Sequence, residues 1–123
     1  RQIMVKPWDR TSVSAIEKAI KASSLGLNPS SDGEIIRIPV PALTEERRKE
    51  LAKLAQKSGE DCKVAIRNAR RDANEMLKEM ETKGGAPKDD VAKALKKVQD
   101  LTDEAVSGID KIVTAKEQEI SEI

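Results

Sequence analysis

The sequence predicts an α+β protein: a small β/α/β unit joined by a proline-rich connector to two long helices that fold back on each other as an antiparallel hairpin. Three observations carry that expectation. Apolar residues alternate with period two over short stretches before residue 40 and recur every three or four residues after Thr44. Pro39-Val40-Pro41-Ala42 lies between the two patterns, and each proline sets its own φ and pushes the preceding residue toward extended geometry. The composition, 37% charged and 1% aromatic, suits long solvated helices with aliphatic seams better than a large aromatic core.

Residues 2–8 read as a strand, with Ile3 and Val5 on one face and Trp8 packing at its end. Asp9-Arg10-Thr11-Ser12 turns the chain, and Ser14-x-x-Glu17 has the form of a capping box. Ile16, Ala19, Ile20 and Ser23 follow at helical spacing, so a short helix is expected over 12–23, stopped by Gly26. Asn28-Pro29-Ser30-Ser31-Asp32-Gly33 is a dense turn signal, and residues 34–38 read as a second strand with Ile36 and Ile38 facing inward. The division that follows is a partial β/α/β domain over 1–38, a linker over 39–43 and a helical arm over 44–123.

Within that arm Thr44 is a good N-cap, with Glu45 and Glu46 where the helix dipole favours negative charge. Leu51, Leu54, Ser58, Cys62, Ala65, Ala69, Ala73, Met76 and Met80 then mark a seam along a helix that runs to Lys83, about 60 Å at 1.5 Å per residue. Gly59 interrupts it at a cost of about 1 kcal/mol relative to Ala. Lys83-Gly84-Gly85-Ala86-Pro87 breaks the helix, and Val91, Leu95, Val98, Leu101, Ala105, Ile109, Ile112 and Ile120 mark the seam of a second one. A near-3.5 period implies coiled-coil-like packing. A hairpin leaves part of each apolar stripe uncovered, to be filled by a third helix, a second copy or a partner.

Composition narrows the chemistry. With 23 basic and 22 acidic side chains the net charge is +1, so any nucleic-acid signal must be local. No histidine is present for proton transfer near neutral pH or for a common zinc site, and Gly84-Gly85 is too isolated to form a phosphate loop. No nucleophile–base pair stands out, so no enzyme, cofactor or small-molecule substrate is expected. No apolar run approaches the roughly 20 residues of a membrane helix. The single cysteine, Cys62, points to a reducing compartment and to a small buried side chain in the seam. A chain that opens on Arg-Gln-Ile reads as a fragment or processed form with an upstream part to be expected.

One charge constellation stands apart. Lys63, Arg67, Arg70 and Arg71 fall within about a 100° arc of the first long helix, and Asn74 shares it. The functional reading is a contact with phosphates, since guanidinium offers a planar fork of donors. The competing reading is a solvated face with partners such as Glu75 for Arg71. Without interleaved aromatics, structured RNA recognised by shape suits this face better than unstacked bases.

The motifs go further than the physics. Ala19-Ile20-Lys21-Ala22-Ser23-Ser24-Leu25-Gly26-Leu27-Asn28-Pro29, Ile36-Arg37-Ile38-Pro39, Leu43-Thr44-Glu45-Glu46-Arg47-Arg48 and Val64-Ala65-Ile66-Arg67-Asn68-Ala69-Arg70-Arg71-Asp72-Ala73-Asn74 occur in that order. As a set they closely resemble the ribosome recycling factor family. The resemblance implies an L-shaped protein, with a three-helix bundle as one arm and a β/α/β domain inserted after the first helix as the other. It implies a hinge at Pro39, Val40, Pro41, Ala42 and Leu43, and a missing N-terminal helix that completes the bundle. It further implies binding to large-subunit ribosomal RNA after termination, and dissociation of the ribosome with elongation factor G and GTP. Arg67 and Arg70 fall on the family's basic helix motif, with Arg71 beside them. The RNA-binding residues would thus be Arg70 first, then Arg67 and Arg71, joined by Lys63 and Asn74 because they share the same helical arc. The setting would be the bacterial cytoplasm or an organelle matrix or stroma. A scaffold fragment whose seam recruits protein helices is the alternative.

Overall fold

The computed structural model describes residues 1–122 and divides into two compact units, one ending at Leu43 and the other starting at Thr44. The first unit is a three-stranded antiparallel sheet with one helix. Strand β1 (Gln2–Val5) pairs with β3 (Ile36–Pro39), setting Ile3 opposite Ile38 and Val5 opposite Ile36. The other edge of β3 is taken by a two-residue strand, β2 (Ser30–Ser31), which sets Ser31 opposite Ile36. Helix α1 (Val13–Ala22) follows a single 3-10 turn at Arg10–Ser12.

The period-two pattern explains the small core. Ile36 is fully buried and Ile38 nearly so, while Arg37 between them is exposed. Val13 joins them from the start of α1, with Val5, Ile16, Ile20 and Leu27 packed around this cluster. Four local expectations are corrected. β1 stops at Val5, well short of Trp8, because Pro7 has no N–H to offer a ladder. Trp8 itself is wholly solvent-exposed and packs on nothing. The expected turn over 28–33 yields a third strand: Asp32 Oδ1 accepts the N–H groups of Glu34 and Ile35 at 3.1 and 3.0 Å, and Gly33 takes φ +96°, so the chain reverses tightly enough for Ser30 and Ser31 to pair with β3. The capping box does not form. The chain is turned by Asp9, whose Oδ1 accepts the Thr11 N–H at 2.9 Å, and the Glu17 carboxylate accepts from Ser31 Oγ at 2.9 Å and pairs with Lys21.

The second unit consists of α2 (Glu45–Thr82) and α3 (Lys88–Glu122). Thr44 caps α2, its Oγ1 accepting the Arg47 N–H at 3.1 Å. At the far end Gly85, at φ +68°, reverses the chain, and the Ala86 N–H returns to the Met80 carbonyl at 2.9 Å. The helices run antiparallel: Arg48, near the start of α2, donates to the Ser121 carbonyl at the end of α3 at 3.0 Å. That guanidinium satisfies a terminal carbonyl and opposes the negative end of the α3 dipole.

In α3 the expected seam residues Val91, Leu95, Val98, Ile109 and Ile120 are buried or half-buried, as are Leu51 and Ala73 of α2, but the rest of the expected α2 seam is displaced. The apolar positions of α2 that are buried or half-buried are Leu51, Ala52, Ala55, Gly59, Ile66, Ala73 and Leu77. Leu54, Cys62, Ala65, Ala69, Met76 and Met80 are exposed, as are Leu101 and Ile112 of α3. The apolar sector of α2 is wider than one neighbour can cover, and α3 occupies one edge of it. Gly59 decides which edge. It is buried, and a Cβ there would stand 2.5 Å from Val113 Cγ2, so a larger residue would force Val113 or a helix backbone to give way at this approach. Cys62 therefore lines an open apolar groove with Ala55, Ser58, Ile109 and Ile112.

Near the end of the first unit, Pro39 ends β3 opposite Gln2, and the Val40 N–H donates to the Arg1 carbonyl at 3.0 Å. Pro41 and Ala42 are exposed and Leu43 is half-buried.

Candidate nucleic-acid interface

The basic constellation lies midway along α2, flanking the line of contact with α3 on the side away from the apolar groove. Arg67 and Arg71 are exposed, and Arg70 and Asn74 are half-buried. Arg67 and Arg70 line a polar cleft whose other wall is α3, through Thr102, Asp103, Val106, Ser107 and Asp110. Thr102 is buried, its hydroxyl donating to the Val98 carbonyl at 2.7 Å, so it turns no free donor into the cleft.

Lys63 stands differently from the arginines. Its side chain is only 14% exposed, and its ammonium is bound by Asp110 at 2.5 Å and Glu60 at 3.0 Å. Those hydrogen bonds, Asp110 first, hold its pKa above the ordinary lysine value. Among the described residues no ion pair forms on Arg67, Arg70 or Arg71, and the Arg71–Glu75 pair weighed from the sequence is not made. Helical periodicity thus brings five residues to one face, of which three present uncommitted guanidinium groups and one is locked between helices.

Sequence reading missed the α3 side of the site. Asp103 and Asp110 are seven residues apart, as are Lys63 and Arg70. In an antiparallel hairpin one register places both pairs across the same boundary. The signal was present in the spacing, but it becomes readable only once the loop at 83–87 and the approach at Gly59 set the register. Among the described residues no group of His, Cys, Asp and Glu side chains is placed to hold a metal, and no helix is long and apolar enough to cross a membrane.

Comparison with known proteins bears on this geometry. A family model described as "Ribosome recycling factor" matches residues 1–120. A ribosome-recycling factor of Clostridioides difficile is 54% identical over 123 residues, covering all of this chain and 66% of that protein. One from Rickettsia bellii is 57% identical over 120 residues, covering 98% of this chain and 64% of that protein. The chain thus spans just under two thirds of the length of these curated relatives. A solution structure of a ribosome recycling factor matches at 45% identity with a TM-score of 0.69, covering 99% of this chain and 64% of that one. A second match, at 42% identity with a TM-score of 0.60, covers 98% of this chain and 65% of that one. It comes from models of the T. thermophilus ribosome recycling factor and the E. coli elongation factor G bound to the E. coli post-termination complex.

Proposed function

We propose, on the premise that this chain belongs to the ribosome recycling factor family, that it forms the RNA-docking face and part of the hinged small domain of a non-enzymatic factor that takes post-termination ribosomes apart. The observation that carries this is the row of unpaired guanidinium groups of Arg67, Arg70 and Arg71 on a rigid helix. The helix fixes the spacing of the three backbone positions, and each guanidinium offers a planar fork of donors to phosphate oxygens. Asn74 extends the same face. Lys63, bound by two carboxylates, contributes less to direct contact.

The remaining roles follow from the family. Large-subunit ribosomal RNA is the surface that the arginine face meets, and elongation factor G with GTP supplies the force, one relative having been described together with that factor on a post-termination complex. The segment 39–43 serves as the hinge, with motion concentrated at Pro41, Ala42 and Leu43, since Pro39 and Val40 are tied to the strand opposite. The apolar groove beside Cys62 seats a further helix from the part of the relatives that this chain does not span. The setting is the bacterial cytoplasm, and no reaction is catalysed by the factor itself.

The test is binding to large ribosomal subunits across a salt series. Arg70→Ala is expected to weaken binding and lower the log–log salt slope by roughly one phosphate contact; an unchanged affinity and slope removes Arg70 from the interface. The open groove favours a second reading, a scaffold that recruits protein helices. Stable homo-oligomers without ribosome affinity would establish that reading instead.

A further inference from the structure

Two acidic side chains of α3, Asp103 and Asp110, line the same cleft as Arg67 and Arg70. A free carboxylate beside an arginine is a rival to phosphate: it can fork onto the guanidinium, and it repels an incoming anion. Yet neither acid is paired with either arginine among the described residues, because each is engaged elsewhere. Lys63, one turn before Arg67, holds Asp110 at 2.5 Å. Gln99, one turn before Asp103 on α3, donates its Nε2 to Asp103 Oδ1 at 2.8 Å.

Lys63 is itself poorly placed to reach RNA. Its side chain is 14% exposed, and two of its three donors are spent on Asp110 and Glu60. Its position on the basic face therefore calls for a different account from that of the arginines. We infer that Lys63 is a positioning residue of the RNA interface: it holds Asp110 away from Arg67 and Arg70, so that both guanidinium groups stay available to the phosphate backbone. Gln99 does the same for Asp103, more weakly because it is neutral. The inference rests on the reading that the arginine face binds RNA.

The experiment measures sedimentation of the 123-residue chain with purified large ribosomal subunits, for Lys63→Met, Asp110→Asn, the double variant and Arg70→Ala. Lys63→Met weakens binding about fivefold in the otherwise unaltered chain, a typical size for a partly exposed charge pair. In the Asp110→Asn background the same change has almost no effect, since the rival anion is gone. An equal loss in both backgrounds would mean that Lys63 touches RNA itself, and no loss in either would mean that Asp110 never competes; both overturn the inference. Arg70→Ala separates the layers. A loss with Arg70→Ala but none with Lys63→Met sinks this inference alone, whereas no loss with Arg70→Ala sinks the RNA reading and this inference with it. If Lys63→Met fails to fold, Gln99→Ala puts the question to Asp103: a loss of about twofold that Asp103→Asn abolishes supports the mechanism, and a loss that persists overturns it.

Discussion

Gly59→Ala isolates the contact that aligns the two long helices. On propensity alone the change stabilises a helix interior by about 1 kcal/mol. Here the new Cβ would stand 2.5 Å from Val113 Cγ2, at least about 1 Å short of the separation carbon atoms prefer. Relief must come from Val113, which is half-buried and β-branched, or from the helix backbones, and overpacking of this kind costs about 1–3 kcal/mol. The overlap outweighs the propensity gain, so a net loss of about 1 kcal/mol is expected, or about 4–8 °C in Tm for a unit of this size. Val113→Ala removes the obstructing methyl and lowers stability by about 1–2 kcal/mol by itself. In that background Gly59→Ala should reverse sign and stabilise by about 1 kcal/mol. Urea denaturation of the four proteins, followed by circular dichroism, reads the cycle. Stabilisation by Gly59→Ala in both backgrounds would refute the close approach of α2 and α3 at this point.

Three further outcomes are expected. Ile36→Ala, at a fully buried position, should cost about 2–5 kcal/mol, more than so small a core can spare; amide exchange should show residues 1–43 unfolded while the long helices stay protected. The backbone N–H groups of Ile35 and Glu34, in that order, hold the Asp32 carboxyl below the ordinary aspartate value. A depressed folded-state pKa contributes stability that is complete above the ordinary range near about 4 and fades as pH falls through the folded value, so an acid titration of the Ile35 amide signal should show the turn loosening only below that range, and Asp32→Asn should abolish the dependence. Cys62, exposed in the groove, should react completely with a thiol reagent in the native chain; protection until denaturant is added would mean that the groove is occupied.

Local chemistry made much of this protein legible in its sequence. The inward pair Ile36 and Ile38, the Thr44 cap, the two long helices and the break at Gly84-Gly85 are each set by interactions within a few residues, where periodicity and capping are decisive. The grouping of Arg67, Arg70 and Arg71 on one face follows from helical pitch alone. Tertiary structure decided the remainder. It drew the strand Ser30–Ser31 out of a turn, because pairing with β3 outweighs weak propensity, and it diverted Glu17 from a cap to Ser31. It chose which edge of a broad apolar sector is covered, because close approach at Gly59 selects one line and leaves Cys62 outside it. It also brought Asp110 to Lys63, separating one basic residue from the three beside it: partners 47 positions apart meet only when the hairpin sets their register, and the matching seven-residue spacings on the two helices do not set it by themselves.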